Sequence, residues 1–324
     1  MAFGQDDKKP TFPLETIYAE RKKNATRKVL RNFKLSLSTG VGRTYMNHKL
    51  DSFGVFQRNG NAPRIFPVGT ATDPRYSNWI NKVITDTLSV QPDSFLVSGD
   101  TAKLGFKGKG FNIPLNLTLQ YEFLKRFRLG GGYSYEPMFL GQFKPTYFHD
   151  KIEEFKPSDS YGWMRKFYGT AGVSFYRIDN FLFTGDLQIG NFKPGNNFDS
   201  NLIIKKGLYY NLGVTVDYEL SENLRAFARP SYDFKRYTLS IPGSAPIVHK
   251  MNAAYLQFGL TYSLPELPRC YLKDCRIQIN HAHGNREYRS RRHPLFKKQN
   301  PGYGENYPTL IKYKGKNKRK LNPY

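Results

Sequence analysis

No run of eighteen apolar residues occurs in the 324-residue chain, so the sequence contains no transmembrane helix. Its hydrophobic content of 39% is also too low for a helical membrane protein. Acidic residues are scarce, 26 against 50 Lys and Arg, which leaves a net charge of +24. With two cysteines there is room for one disulfide, and no glycine-rich loop of the kind that cradles a phosphate is present. Histidine is rare as well. Outside the last sixty residues there are only His48, His149 and His249, all expected in connecting loops, so acid-base catalysis has little material to work with. Of these only His149-Asp150 comes near to a dyad, and adjacent residues do not generally point at one another.

What the chain does have is alternation. Eight segments between Phe33 and Leu264 place apolar residues at every second position, the period of a β-strand. The first holds Leu35, Leu37, Thr39 and Val41. The second begins at Asn112, with Ile113, Leu115, Leu117, Leu119, Tyr121 and Phe123 on one face and Pro114, Asn116, Thr118, Gln120 and Glu122 on the other. Six more segments follow the same rule: the second forms a hairpin with Phe127 to Tyr135, Phe167 to Phe175 pairs with Phe181 to Ile189, Leu208 to Tyr218 pairs with Leu224 to Phe234, and Ala254 to Tyr262 flanks them at the end as the first segment does at the start. Tight turns are expected at Leu124 to Arg126, Arg177 to Asn180 and Ser221 to Asn223. Longer links are expected at about 46–109, Gly141 to Gly162, Pro194 to Lys205 and Ser240 to Lys250. Short turns alternating with long links, around an even number of strands, is the asymmetry of bacterial outer-membrane barrels.

The composition of the polar face decides which side is outside. It is mostly Ser, Thr, Asn, Gln and Gly, where a water-facing surface would carry many Lys and Glu. Small polar residues suit the interior of an eight-stranded barrel, which side chains fill completely, so the apolar face is expected to meet lipid. Tyr121, Phe123, Phe127, Phe181, Tyr218 and Tyr262 recur near strand ends on that face, as aromatic girdles would. The same count of strands leaves no aqueous lumen. Charges on the inner face, Glu122, Glu136, Asp186, Asp217 and Glu219 against Arg128, Arg225, Arg229 and Lys235, are expected to pair as a plug, since unpaired buried ions are costly. Gly130-Gly131-Gly132 falls inside a strand, where glycines permit close packing or a kink.

The architecture over Phe33 to Leu264 resembles the OmpA/OmpX-like small outer-membrane barrels. That resemblance implies an all-β, eight-stranded antiparallel up-and-down transmembrane β-barrel in the bacterial outer membrane, with both termini periplasmic. The expected organisation is an N-terminal basic segment at 1–32, the barrel at 33–264 with its long first outer link, and a basic, mostly irregular tail at 265–324. Within the first link, Trp79-Ile80-Asn81-Lys82-Val83-Ile84 is an amphipathic piece that could pack over the barrel mouth. A small-x-small sequence, Ala2-Phe3-Gly4, resembles the end of a cleaved signal peptide and places the expected mature start near Gln5.

Two clusters carry the charge. Arg21, Lys22, Lys23, Arg27, Lys28, Arg31 and Lys34 precede the first strand, and residues 265–324 hold fifteen Lys and Arg against four Asp and Glu, a net +11. The tail has few aliphatic residues, too few to fold on an apolar core of its own. Aromatics interleave with its cations, which reads as an extended peptide that orders on a partner. The candidate partner-binding residues are Arg289, Arg291, Arg292, Lys297, Lys298, Tyr303, Tyr307, Lys312, Tyr313, Arg319 and Tyr324. A periplasmic or outer-membrane protein is the expected partner. Anionic lipid or wall polymer and a merely solvated tail are the other readings, and a membrane barrel leaves nucleic acid aside. Cys270 and Cys275 are candidates for a disulfide in an oxidising periplasm. Free thiols or a bond to another chain is the second reading. Metal binding with His281 and His283 is the least favoured, because the spacing departs from C-x2-C…H-x3-5-H and His-x-His can supply only one face of a tetrahedron. No cofactor is expected.

A small barrel with a long basic extension is similar in style to accessory subunits of envelope machines, such as type IX secretion, gliding or barrel-assembly complexes. The resemblance implies a non-enzymatic outer-membrane anchor whose tail docks on a periplasmic or secretion complex. The alternative is an outer-membrane lipid-modifying enzyme or a small-solute-binding barrel.

Overall fold

The computed structural model describes residues 25–67, 75–77, 81–84, 94–97, 103–124, 126–195, 198–199, 202–221, 223–240, 245–275, 281–283 and 286–291. The chain divides into two compact units, one of Leu35–Tyr218 with Ala226–Thr261, the other of Met1–Lys34, Glu219–Arg225 and Tyr262–Tyr324.

Eight long passes of antiparallel strand dominate. They are β1 (Phe33–Lys49), β7 (Gly105–Asn112) running on into β8 (Leu115–Phe123), β9 (Phe127–Pro145), β10 (Tyr161–Ile178), β11 (Phe181–Pro194), β12 (Ile203–Lys206) with β13 (Leu208–Glu219), β14 (Leu224–Phe234) with β15 (Arg236–Ser240), and β16 (Ile247–Ser263). These form one eleven-stranded sheet in the order β12-β15-β16-β14-β13-β11-β10-β9-β7-β1-β8, and additional pairings of β16 with β1 and of β9 with β8 return the ladder to its start, a ring through eight strands. Each segment of alternation lies within one of these passes. The β7–β8 break falls at Ile113-Pro114, where proline has no N–H to offer the ladder, and Ile113 keeps its own bond to the Pro137 carbonyl at 3.1 Å. At the β1–β16 seam the strands are too close for a side chain at Gly40, whose Cβ would run into the Leu256 carbonyl.

The strands are longer than alternation alone implies, and the reason is a polarity inversion along them. In β1 the inward row reads Ser36, Ser38, Gly40, Gly42, Thr44 and then Met46, His48, Leu50; the outward row reads Leu35, Leu37, Thr39, Val41, Arg43, Tyr45 and then Asn47, Lys49. β9 repeats this. Inside, Arg128, Ser134 and Glu136 give way to Met138 and Leu140; outside, Phe127, Leu129 and Phe139 give way to Gln142 and Lys144. On β11, Thr184, Asp186 and Gln188 are followed inside by Phe192, while Leu187 and Ile189 are followed outside by Asn191 and Lys193. One end of the ring therefore has a polar inside and an apolar outside, and the other end has the reverse.

At the inverted end a hydrophobic core fills the ring. Met46, Leu104, Phe106, Phe143, Met164, Phe192, Tyr237, Leu239 and Met251 all lie in it, together with Phe53, Val55 and Ile65 from the first long link. That link is not a bare loop. It carries β2 (Phe53–Arg58), β3 (Arg64–Pro67), β4 (Arg75–Ser77), β5 (Lys82–Ile84) and β6 (Ser94–Val97), which form a second, five-stranded sheet in the order β5-β4-β3-β2-β6. Of the amphipathic piece, Lys82–Ile84 form the strand β5 and Asn81 precedes it in a turn; Trp79 and Ile80 lie outside the described residues. Gln57 ties this sheet to the 145–161 link, donating to the Glu153 carbonyl at 3.2 Å and accepting from the Glu153 N–H at 2.8 Å.

In the second unit, α1 (Ala25–Arg31) precedes the first strand, and Arg31 pairs with Glu266 at 2.6 Å. The Ser221 hydroxyl accepts from the Leu224 N–H at 3.1 Å and so braces the tight turn. The tail forms a short hairpin, β17 (His281–His283) with β18 (Arg286–Tyr288).

Candidate functional site

Two clusters of functional side chains stand out. The first fills the polar half of the ring interior. Lys166 on β10 reaches Glu136 on β9 and Asp233 on β14, each at 2.6 Å. Lys235 lies 3.1 Å from Asp233 and 3.9 Å from Glu136, and it donates to the Tyr255 hydroxyl at 2.9 Å. Tyr255 in turn donates to Glu136, and the Asn112 and Asn211 amides donate to Glu136 and Asp233. Two cations thus meet two carboxylates. Below them, Arg229 pairs with Asp186, which also accepts from Thr215 at 2.6 Å, and Arg128 pairs with Asp217 at 2.7 Å. All eight charged side chains are nine-tenths or more shielded from solvent.

Hydroxyls and amides complete the filling. Thr118 and Tyr168 bond at 2.8 Å, Ser36 and Thr261 at 2.8 Å, Ser174 and Thr184 at 2.9 Å. Gly132 leaves the space through which the Tyr168 ring crosses; a Cβ there would lie 2.6 Å from the ring. A cavity of about 40 Å³ remains among Ser38, Thr118, Arg128, Asp186, Asp217 and Arg229, on the scale of a few waters at most.

Of the charges expected inside, Glu136, Asp186, Asp217, Arg128, Arg229 and Lys235 are in this network. Glu219 and Arg225 pair with each other at 3.2 Å instead, both partly exposed, and Glu122 is half-buried. Lys166 escapes a reading that starts its strand at Phe167. Its parity with Tyr168 and Thr170 was the available signal. His48 and His249, expected in loops, belong to β1 and β16, where their rings stack at 5.2 Å and the Tyr237 ring stacks on His249 at 4.6 Å. The strands overrun the expected boundaries and carry them inside. His149 and Asp150 are both exposed in a turn.

The second cluster is in the tail. Cys270, Cys275, His281 and His283 converge, with one donor atom from each lying within 4.8 Å of all the others. The two cysteines, expected as a disulfide, are both free. Each sulfur instead faces an imidazole, Cys270 Sγ at 3.3 Å from His283 Nε2 and Cys275 Sγ at 3.2 Å from His281 Nε2, and the two Nε2 atoms are 3.0 Å apart. Of the expected partner-binding residues, Arg289 and Arg291 are described. Both brace this cluster. Arg289 bridges to Arg269 through the backbone, its N–H donating to the Pro268 carbonyl at 2.7 Å and its carbonyl accepting from the Cys270 N–H at 2.8 Å. The Arg291 guanidinium donates to the carbonyls of Cys270 and Tyr271 at 3.1 and 3.3 Å. Arg292, Lys297, Lys298, Tyr303, Tyr307, Lys312, Tyr313, Arg319 and Tyr324 lie outside the described residues.

No protein-family model and no curated protein sequence matches the chain. Among solved structures it is similar to the outer membrane protease OmpT of Escherichia coli, at 14% identity over 72% of this chain and 97% of that one with a TM-score of 0.33. It is similar to the outer membrane protein OprG of Pseudomonas aeruginosa, at 9% identity over 71% and 96% with a TM-score of 0.35. A third likeness is to Ail, the attachment invasion locus protein of Yersinia pestis, at 14% identity over 70% and 99% with a TM-score of 0.20. Likenesses this remote say nothing of activity.

Proposed function

We propose that the ring is an eight-stranded outer-membrane barrel, closed to solutes, that anchors a basic periplasmic tail for docking on an envelope or secretion complex. The observation that carries this is the polarity inversion. Between the outward aromatics Phe127, Phe181 and Tyr218 at one level and Tyr45, Phe111, Phe139 and Tyr161 at the other, the exposed side chains are largely aliphatic, Leu117, Leu119, Leu129, Ile189, Leu212 and Val214 among them. From Phe127 to Phe139 is twelve strand steps, about 30 Å of bilayer for strands tilted 35–45°. Beyond it the outside becomes polar and the inside apolar, as in a soluble domain standing in water. Water-filled barrels have many more strands, and the ion network with its apolar cap supports a closed interior. In this reading the tight turns, both termini and the basic clusters are periplasmic, and the five-stranded sheet is extracellular.

Its test is fractionation and conductance together. The folded protein should resist carbonate extraction from outer membranes, run faster in electrophoresis before boiling than after, and give no persistent conductance in planar bilayers. Recovery in the soluble fraction would overturn the membrane reading; stable open channels would overturn the closed one.

A further inference from the structure

We propose that Cys270, Cys275, His281 and His283 bind one zinc ion, and that the ion serves the tail's first two dozen residues in place of an apolar core. Zinc takes four tetrahedral ligands at about 2.3 Å to sulfur and 2.0–2.1 Å to nitrogen, so the edges of a Cys2His2 tetrahedron run from about 3.3 to 3.8 Å. The sulfur–nitrogen separations of 3.3 and 3.2 Å and the nitrogen–nitrogen separation of 3.0 Å fall a few tenths of an ångström short of that. Four donors, all within 4.8 Å of one another, are therefore gathered around a space that one ion fills once the side chains adjust, the short separations opening and the long ones closing.

The chain assembles this set from separate pieces. His281 and His283 are two apart on β17, so both project from one face of the hairpin. Cys270 is held against the hairpin by the 2.8 Å bond of its N–H to the Arg289 carbonyl and by the Arg291 guanidinium on its own carbonyl. Cys275 follows a turn closed by its N–H on the Leu272 carbonyl at 3.4 Å. The Tyr271 and Tyr288 rings pack on His283 at 5.8 and 5.9 Å and on each other at 5.2 Å. Aliphatic side chains are few in the segment: of Leu, Ile and Val, residues 268–291 contain Leu272, Ile277 and Ile279, and Leu272 is exposed. A segment this short and polar usually needs a metal, a disulfide or association with another chain to stay folded. The sulfurs face imidazoles and not each other, and the convergence of all four donors favours the metal. Two thiolates balance the ion's charge, and four protein ligands leave no open position, so the site is structural and not catalytic.

The test uses the untagged full-length protein purified from membranes in mild detergent without chelator. Elemental analysis should find about one zinc per chain, and zinc should fall at least tenfold in Cys275→Ser and in His283→Asn. Electrophoretic heat-modifiability would show that the ring remains folded in these variants. Cobalt exchanged into the wild type should give the visible bands of a tetrahedral ion with a thiolate charge-transfer band, and both cysteines should resist alkylation until a chelator is added. Zinc at background, whether the thiols are then free or joined as a Cys270–Cys275 disulfide, would overturn the proposal. So would zinc retained at the same level in both variants.

Discussion

The ammonium of Lys166 and the carboxylate of Asp233 face each other at 2.6 Å across the ring interior, both shut off from water. Removing either charge leaves the buried group of two cations and two carboxylates, Lys166, Lys235, Glu136 and Asp233, with one charge uncompensated, a change worth about 3–5 kcal/mol. Asp233→Asn should therefore lose about that much stability in urea unfolding from lipid vesicles. The double variant Lys166→Met/Asp233→Asn should recover most of the loss, and equal losses in single and double variants would show that the pair is not coupled.

The apolar band makes a depth-dependent prediction. Leu117 pairs with Tyr133, midway between Phe127 and Phe139 on β9, and it is half exposed. Leu117→Arg should cost about 2–4 kcal/mol of folding into a bilayer. Asn47→Arg, just beyond the band on the same outward surface, should cost well under 1 kcal/mol. Equal penalties at the two positions would remove the bilayer boundary from between Tyr45 and Asn47.

The bracing of the tail cluster can be probed without touching a donor atom. Arg291 holds the carbonyls of Cys270 and Tyr271, and supports of this kind tune metal affinity by about 10–100-fold. Arg291→Ala should weaken zinc retention in a chelator competition by about tenfold, while the cobalt spectrum keeps its tetrahedral form. Unchanged retention would assign Arg291 to the surface.

The eight passes were legible because only one face of each carries apolar residues within the band, and period two survives wherever that is so. It fails where the two rows exchange character. In β1 the step from Tyr45, Met46 to Asn47, His48 blurs the alternation, so the strand reads as ended while its hydrogen bonds continue to Lys49. The five-stranded sheet was hidden for a different reason: Phe53 to Gln57 on β2 are buried in succession, with both faces covered and no alternation to find. Lys166 and Asp233 could be read only as inner-row residues, and their pairing depends on ring closure between strands far apart in sequence. The tail cluster left still less. Its four donors follow C-x4-C-x5-H-x-H, a spacing with no periodic signature, and what unites them is the hairpin register.

The central claim, a membrane-held barrel that presents its tail to a periplasmic assembly, is tested most directly by comparing the full chain with one ending at Leu264. Both are cross-linked in intact cells, extracted from outer membranes in mild detergent and analysed by quantitative mass spectrometry. The account predicts that both forms are inserted and heat-modifiable, and that the full chain alone brings stoichiometric periplasmic or outer-membrane partners. Partners retained by the truncated chain, or none with the full chain, would contradict it.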